Sequence, residues 1–255
     1  MSNLSDKTVL VTGSSRGIGA ATVKCLGEAS ANVVAHYNSD REGTEDAAKG
    51  IASSNKLLLQ ANFSQLDQVE ALWDSALNWR GSIDVLVNNA AVMVWDGGFD
   101  QPLDVWDSSW EKTLAINVLA PMRLLRRAVN HFKENNGGTI ITLSSWAAQK
   151  GVTNPATIAY GSSKSAIHTA TQTIARAFAK DDILAYVIAP GVVRTRLSEQ
   201  FAATQGGKEK ITDTLAMGEW VPPSEIGALI TYLAHGRIRH LSGATLDING
   251  ASYIR

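Results

Sequence analysis

The chain has 255 residues, 45% of them apolar and 18% charged, with a formal net charge of −1. That balance argues against a polyanion partner, and the longest apolar run, Ile183 to Val193, is broken by Pro190 and too short to span a bilayer. The single cysteine, Cys25, permits no internal disulfide. It fits a reducing compartment, and MSNLSDKTVLV has no basic stretch leading into an apolar core, so a cytoplasmic protein is expected.

In chain order, Thr8–Val11 reads as a buried strand, closed by Thr12-Gly13. Ser14-Ser15-Arg16-Gly17-Ile18-Gly19 leads into a helix over Ala20–Glu28. Asn32–Tyr37 is a second strand, Asp40–Ile51 a polar helix and Leu57–Asn62 a third strand. Gln65–Leu77 is a helix with Val69, Leu72 and Leu77 on its buried face. Ile83–Val87 is a fourth strand, followed by Asn88-Asn89-Ala90-Ala91. Asp107–Glu134 is mostly helix, and Thr139–Leu143 is the fifth strand. A helix with apolar residues from Ile167 to Phe178 comes next. Leu184–Ile188 is a sixth strand, stopped by Pro190-Gly191. Ser198–Met217 reads as polar and irregular, Ser224–Ala234 as helix and Ala244–Ile248 as the last strand. Strands alternating with helices predict one α/β domain, a parallel sheet covered on both faces.

Three stretches carry chemistry. Thr12–Gly19 places G-x-x-x-G-x-G between a strand and a helix. Glycines let backbone approach a pyrophosphate, and the helix start offers it free N–H groups. There is no Gly-Lys-Ser/Thr, which excludes the mononucleotide P-loop. Tyr160 and Lys164 are four residues apart and share a helical face. A lysine beside a phenol favours phenolate, so the pair is a candidate proton donor or acceptor. In Thr113–Pro121, Pro121 has no N–H for the carbonyl of Asn117. The helix should kink there and offer that carbonyl to a water. His36, His131, His168, His235 and His240 have no ligand spacing, so no metal site is expected and each reads as surface or satisfied core.

Thr12-Gly13-x-x-x-Gly17-Ile18-Gly19, Asn88-Asn89-Ala90-Ala91, Asn117, Ser145, Tyr160-x-x-x-Lys164 and Pro190-Gly191 resemble, in order and spacing, the classical short-chain dehydrogenase/reductase family. The resemblance spans Thr8 to Gly250. It implies a Rossmann-like, doubly wound parallel sheet of about seven strands, in a single domain over 1–255. The cofactor half is about 1–150 and the catalytic and substrate half about 139–255. It implies a catalytic set of Asn117, Ser145, Tyr160 and Lys164, with Tyr160 exchanging the proton. Lys164 lowers its pKa, Ser145 donates to the substrate oxygen and Asn117 feeds the relay. Ser144 is the alternative serine; the family's serine is usually the second of such a pair. The family's Asn-Asn-Ala-Gly is Asn-Asn-Ala-Ala here, ending in Ala91.

The implied nicotinamide cofactor is expected against Gly13, Ser15, Arg16, Gly17, Ile18, Gly19, Tyr37, Asn38, Ser39, Asn62, Phe63, Asn89, Ala90, Ala91, Tyr160, Lys164, Pro190, Gly191, Val193 and Thr195. The position that carries an acid in NAD-binding folds of this type falls at Tyr37, with Asn38 and Ser39 next. None is acidic, and Arg16 and Arg41 are at hand, so NADP(H) is expected over NAD(H), with NAD(H) also possible. Asp40 and Glu42 oppose this if they turn inward. Trp95, Trp146 and Trp220, with Met93, fall where the family places its substrate pocket. The expected activity is that of a short-chain alcohol dehydrogenase or ketone reductase on a small apolar, aromatic or 3-oxoacyl-type substrate. A catalytically weak cofactor-sensing regulator is the competing reading, and a nucleotide-sugar epimerase the third. Apolar residues over Leu124–Phe132 and Ile167–Phe178 predict a homotetramer or dimer.

Overall fold

Thr8–Val11 forms strand β1, and all four of its residues are buried. A strand covered on both faces has no use for polar alternation, which is why the run is apolar and β-branched. The computed structural model describes residues 3–255. After β1 come α1 (Gly17–Glu28), β2 (Asn32–Tyr37), α2 (Arg41–Ala47), β3 (Lys56–Gln60), α3 (Leu66–Arg80) and β4 (Val85–Asn88). Then follow α4 (Leu103–Leu114), a π turn (Ala115–Leu119), α5 (Ala120–Glu134), β5 (Gly138–Leu143), α6 (Ala147–Lys150) and α7 (Ile158–Ala177). The chain continues through β6 (Ile183–Pro190), α8 (Arg196–Thr204), α9 (Lys208–Thr212), α10 (Pro223–Ala234) and β7 (Thr245–Ile248).

The seven strands form one sheet in the order β3-β2-β1-β4-β5-β6-β7, and every pairing is parallel. This is the doubly wound, Rossmann-like single domain that the alternation predicts. Neighbouring residues of a strand point to opposite faces. Val9, Val11, Val85 and Val87 therefore pack with Val23 and Leu26 of α1 and Ile226 and Ile230 of α10. Leu10, Leu86 and Ile140 pack on the other face with Leu72 and Trp73 of α3 and Leu124 and Phe132 of α5. The strand order reverses between β1 and β4, and in such sheets the ligand crevice opens at the carboxyl ends of the strands there.

Several elements differ from expectation. Ser198–Met217 is not irregular: it lies largely in α8 and α9, separated at Gly206-Gly207, both with positive φ. The helix expected from Asp107 begins at Leu103. Pro121 produces a π turn, in which Ala120 N–H bonds the Ala115 carbonyl five residues back. Widening the turn is the helix's answer to a missing donor. The apolar residues of α5 and α7 are also spent differently. Leu124, Leu125, Phe132 and Ile167 are buried within the chain's own packing. On α4, the π turn and α5 the large apolar side chains left in the open, among the described residues, are Leu103, Val105, Leu114, Leu119 and Met122.

Candidate active site

The loops after β1, β4, β5 and β6 surround a cleft of about 570 Å³. Its floor is the glycine turn. Gly13 has φ +69°, a left-handed conformation, and an added Cβ would stand 2.9 Å from the Ala90 Cα. At Gly19 a Cβ would lie 2.0 Å from the Gly13 carbonyl oxygen and 2.7 Å from Asn89 Nδ2. Asn89 is the clamp here: its amide donates to the carbonyls of Thr12 (2.8 Å) and Gly13 (3.0 Å). Thr12 Oγ1 in return accepts from the N–H groups of Asn89 and Ala90, each at 3.0 Å. Among the described residues no side chain caps α1 and its first turn holds no acid, so none of their side chains claims its leading N–H groups. Bare glycine backbone and an open helix start suit a dinucleotide pyrophosphate. Ala91 is not among the residues with positive φ, so the methyl that departs from the family pattern costs no backbone strain.

At the end of the cleft lined by the loops after β2 and β3, His36 is buried and stacked on Phe63, with ring centroids 4.3 Å apart. His36 Nε2 lies 2.9 Å from the Ala61 carbonyl, which can only accept, so Nε2 carries the proton. Nδ1 is then bare and accepts from Gly13 N–H at 3.1 Å. Burial pushes this imidazole down to about 4, from an ordinary 6.5. The consequence has a definite sign. The neutral ring contributes its full stability above 6.5, and that share is lost as pH falls from 6.5 towards 4, because only the unfolded chain takes up the proton there. The gap corresponds to ~3 kcal/mol. Urea unfolding midpoints of the parent should therefore drop over this window. His36→Gln should remove that part of the slope, and a variant with the parent's profile would refute the assignment.

At the far end of the cleft, α7 presents Tyr160 and Lys164 on one face. Burial pushes the Tyr160 phenol up to about 12, and its hydrogen bond with the Ser145 hydroxyl pulls the other way. Ser145 Oγ accepts from Ala147 N–H at 3.1 Å, which fixes it at the start of α6. Lys164 Nζ donates to the Leu143 carbonyl at 2.7 Å, and burial pushes it down to about 8. The ammonium stands 5.7 Å from the Tyr160 ring centre. Burial raises the phenol and Ser145 lowers it, while the lysine to which the i, i+4 spacing points donates its nearest hydrogen bond to the Leu143 carbonyl. Ser144 is occupied elsewhere: its hydroxyl donates to the Lys164 main-chain carbonyl at 3.1 Å. The Asn117 side chain accepts from Val92 N–H and donates to the Val92 carbonyl, both at 2.8 Å. It also donates to Ser163 Oγ at 3.0 Å, beside Lys164.

Of the residues singled out in the sequence, Gly13, Ser15, Arg16, Gly17, Ile18, Asn38, Ser39, Asn62, Phe63, Asn89, Ala90 and Ala91 line the cleft. So do Ser145, Tyr160, Lys164, Pro190, Gly191, Val193 and Thr195. Gly19, Tyr37 and Asn117 stand behind its wall. Arg41 turns away to pair with Glu45 at 2.7 Å. Asp40 does line the cleft, but its carboxylate accepts from Gly43 N–H at 2.9 Å and caps α2. Met93 lines the cleft and the three tryptophans do not. Trp220 is buried with Val192, Ala202 and Leu215, and its Nε1 donates to Thr212 Oγ1 at 2.9 Å. Trp146 packs against that cluster under the Lys150 ammonium, 3.7 Å from its ring. Trp95 stacks on Phe201 of α8, with centroids 6.4 Å apart. Sequence reasoning missed His36, Ile116, Arg196 and Gln200 as lining residues. A histidine inside an otherwise apolar strand was the one available signal. Among the described residues no cluster of His, Cys, Asp or Glu could hold a metal ion, and no helix is long and apolar enough to cross a membrane.

Comparison with known proteins agrees with this arrangement. Residues 13–251 match the model of a family described as enoyl-(acyl carrier protein) reductase. The chain is 31% identical over 251 residues to 3beta-hydroxysteroid dehydrogenase 1 of Eggerthella lenta, covering 97% of this chain and 94% of the relative. It is 30% identical to glucose 1-dehydrogenase 2 of Bacillus subtilis, covering 97% and 95%. A crystal structure of 3-ketoacyl-(acyl-carrier-protein) reductase from Brucella melitensis, complexed with NADH, superposes with a TM-score of 0.87 at 25% identity, covering 99% of this chain and all of that one. With the glycine turn, the Asn-Asn-Ala turn and the Ser–Tyr–Lys grouping at the ends of a parallel sheet, the chain belongs to the classical short-chain dehydrogenase/reductase family of oxidoreductases.

Proposed function

We propose that the protein is an NADP(H)-preferring ketone reductase or secondary alcohol dehydrogenase with Tyr160 as its general acid. The observation that carries this reading is the grouping of Ser145, Tyr160 and Lys164 in the same cleft as the glycine turn. The bound nicotinamide supplies the hydride for reduction or accepts it in the reverse direction. The remaining duties fall to this chain. A phenol at about 12 is protonated at neutral pH and poised to donate to a substrate oxygen. Ser145, whose oxygen already accepts from Ala147, keeps its own proton for that same oxygen. Lys164, at about 8, is roughly nine-tenths charged at pH 7 and stabilises negative charge left on the phenol. Asn117 holds Val92 and Ser163 beside Lys164 through its side-chain amide, and by the family resemblance feeds the proton relay. Residues 1–150 then carry most of the cofactor contacts, and residues 139–255 the catalytic groups and the substrate side, with some of the latter reaching the cofactor too. A screen of small apolar, aromatic and 3-oxoacyl ketones, followed by loss of reduced-cofactor absorbance, tests the reading. No turnover on any of them, with cofactor still bound, would favour the cofactor-sensing alternative.

The preference for NADP(H) rests on Arg16, Asn38 and Ser39 at the adenine-side end, where the single carboxylate, Asp40, is engaged by Gly43 N–H. Arg41 has no part in it. Arg16→Ala should lower the ratio of kcat/KM with NADPH to that with NADH about tenfold, as loss of a charge-assisted contact to the 2′-phosphate requires. A parent that favours NADH would overturn the preference.

We also propose that the protein is cytoplasmic and works as a homotetramer or dimer. Leu119 at the end of the π turn and Met122 at the start of α5 are 50% and 39% exposed, and a second copy would cover them. Light scattering should show an oligomer at micromolar concentration and a smaller species for Leu119→Glu. A monomeric parent would refute this.

A further inference from the structure

We infer that Arg196 is a ligand of the cofactor's pyrophosphate, distinct in duty from Arg16; the inference rests on the dinucleotide reading of the cleft. Four charged residues line that cleft: Arg16, Asp40, Lys164 and Arg196. Three cations face one carboxylate in a chain whose net charge is −1, and the carboxylate already accepts from Gly43 N–H. Lys164 is held by the Leu143 carbonyl at the deep end. Arg196 is exposed and, among the described residues, forms no ion pair. Its place is fixed by its neighbour. Thr195 Cγ2 lies 3.0 Å from where a Cβ on Gly17 would stand, so the start of α8 is packed on the start of α1. Arg196 follows Thr195 directly and lines the cleft on the side where the start of α8 meets the glycine turn. Asn38, Ser39 and Asp40, which frame the adenine-side end, come instead from the loop after β2. A planar guanidinium with paired donors and no counter-ion fits a bridging pyrophosphate.

The test uses the full-length protein and equilibrium binding, followed by fluorescence of the reduced nicotinamide. NADPH and NADH are titrated directly, and ADP-ribose and 2′-AMP by competition. Arg196→Gln should raise Kd about tenfold for NADPH, NADH and ADP-ribose alike, and leave 2′-AMP within twofold. Arg16→Ala should weaken NADPH and 2′-AMP and spare NADH. If Arg196→Gln weakens NADPH and 2′-AMP only, its duty lies at the 2′-phosphate and the inference is overturned. It is equally overturned if all four affinities hold, including the case in which only KM for the ketone rises. A parent that binds neither dinucleotide would overturn the reading of the cleft itself, and this inference with it.

Discussion

Replacing Tyr160 with phenylalanine is expected to lower kcat by roughly two to four orders of magnitude, the usual loss when a positioned acid–base group is removed. Dinucleotide affinity should stay within about twofold of the parent, because the ring still fills its place on α7 and only the oxygen is gone. The two measurements separate chemistry from folding: steady-state turnover on a true substrate, and fluorescence titration of the reduced cofactor. Ser144→Ala makes the informative comparison. Its hydroxyl is committed to the Lys164 carbonyl, so its loss should act on stability far more than on kcat. Turnover of Tyr160→Phe within a few-fold of the parent would remove the tyrosine from the mechanism.

Gly19→Ala is expected to weaken dinucleotide binding by more than about a hundredfold and to destabilise the fold by about 1–3 kcal/mol, the usual range for an overpacked site. The new methyl would sit 2.0 Å from the Gly13 carbonyl oxygen, on the Gly13–Ser14 peptide, whose carbonyl accepts from Asn89 Nδ2 and whose N–H donates to the His36 carbonyl. Backbone pinned from two sides cannot step aside by an ångström without opening the turn. Gly50→Ala is the control, since nothing lies within 4 Å of its Cβ. It should leave both thermal stability and cofactor affinity unchanged. A Gly19→Ala protein that binds cofactor like the parent would show that the turn is softer than its contacts imply.

The sheet was legible because most strands announce themselves as short β-branched or apolar runs, with helical patterns between them. Thr8–Val11 and Asn32–Tyr37 match their strands residue for residue. α8 and α9 were illegible because they are nine and five residues long, largely polar, and interrupted by two glycines. Periodicity has too few turns there to register. In the site, spacing along one helix correctly put Tyr160 above Lys164 but could not say where the ammonium would turn. That depends on the Leu143 carbonyl, 21 residues away. Trp220 lies two residues before Pro222, in a segment that reads as a pocket wall, yet its ring completes a small core of its own with Leu215. Arg41 could have been read better: Glu45 follows it at i+4 on one helix, a spacing that invites the pair found.

The π turn has a consequence for how this helix tolerates changes in length. A π turn amounts to one residue inserted into an α-helix, and each residue of an α-helix advances the chain by about 100°. The extra residue in Ala115–Leu119 therefore sets the angular phase between α4 and α5. It lets α5 aim Leu124 and Phe132 at the sheet while Asn117 still faces Val92 and Ser163. Deleting one residue there would restore an unbroken α-helical register and rotate one segment against the other by about a quarter turn. Either the core face or the asparagine would then lose its partners. The length of this segment is consequently quantised: substitutions within it can be absorbed singly, whereas a one-residue deletion cannot be absorbed at all.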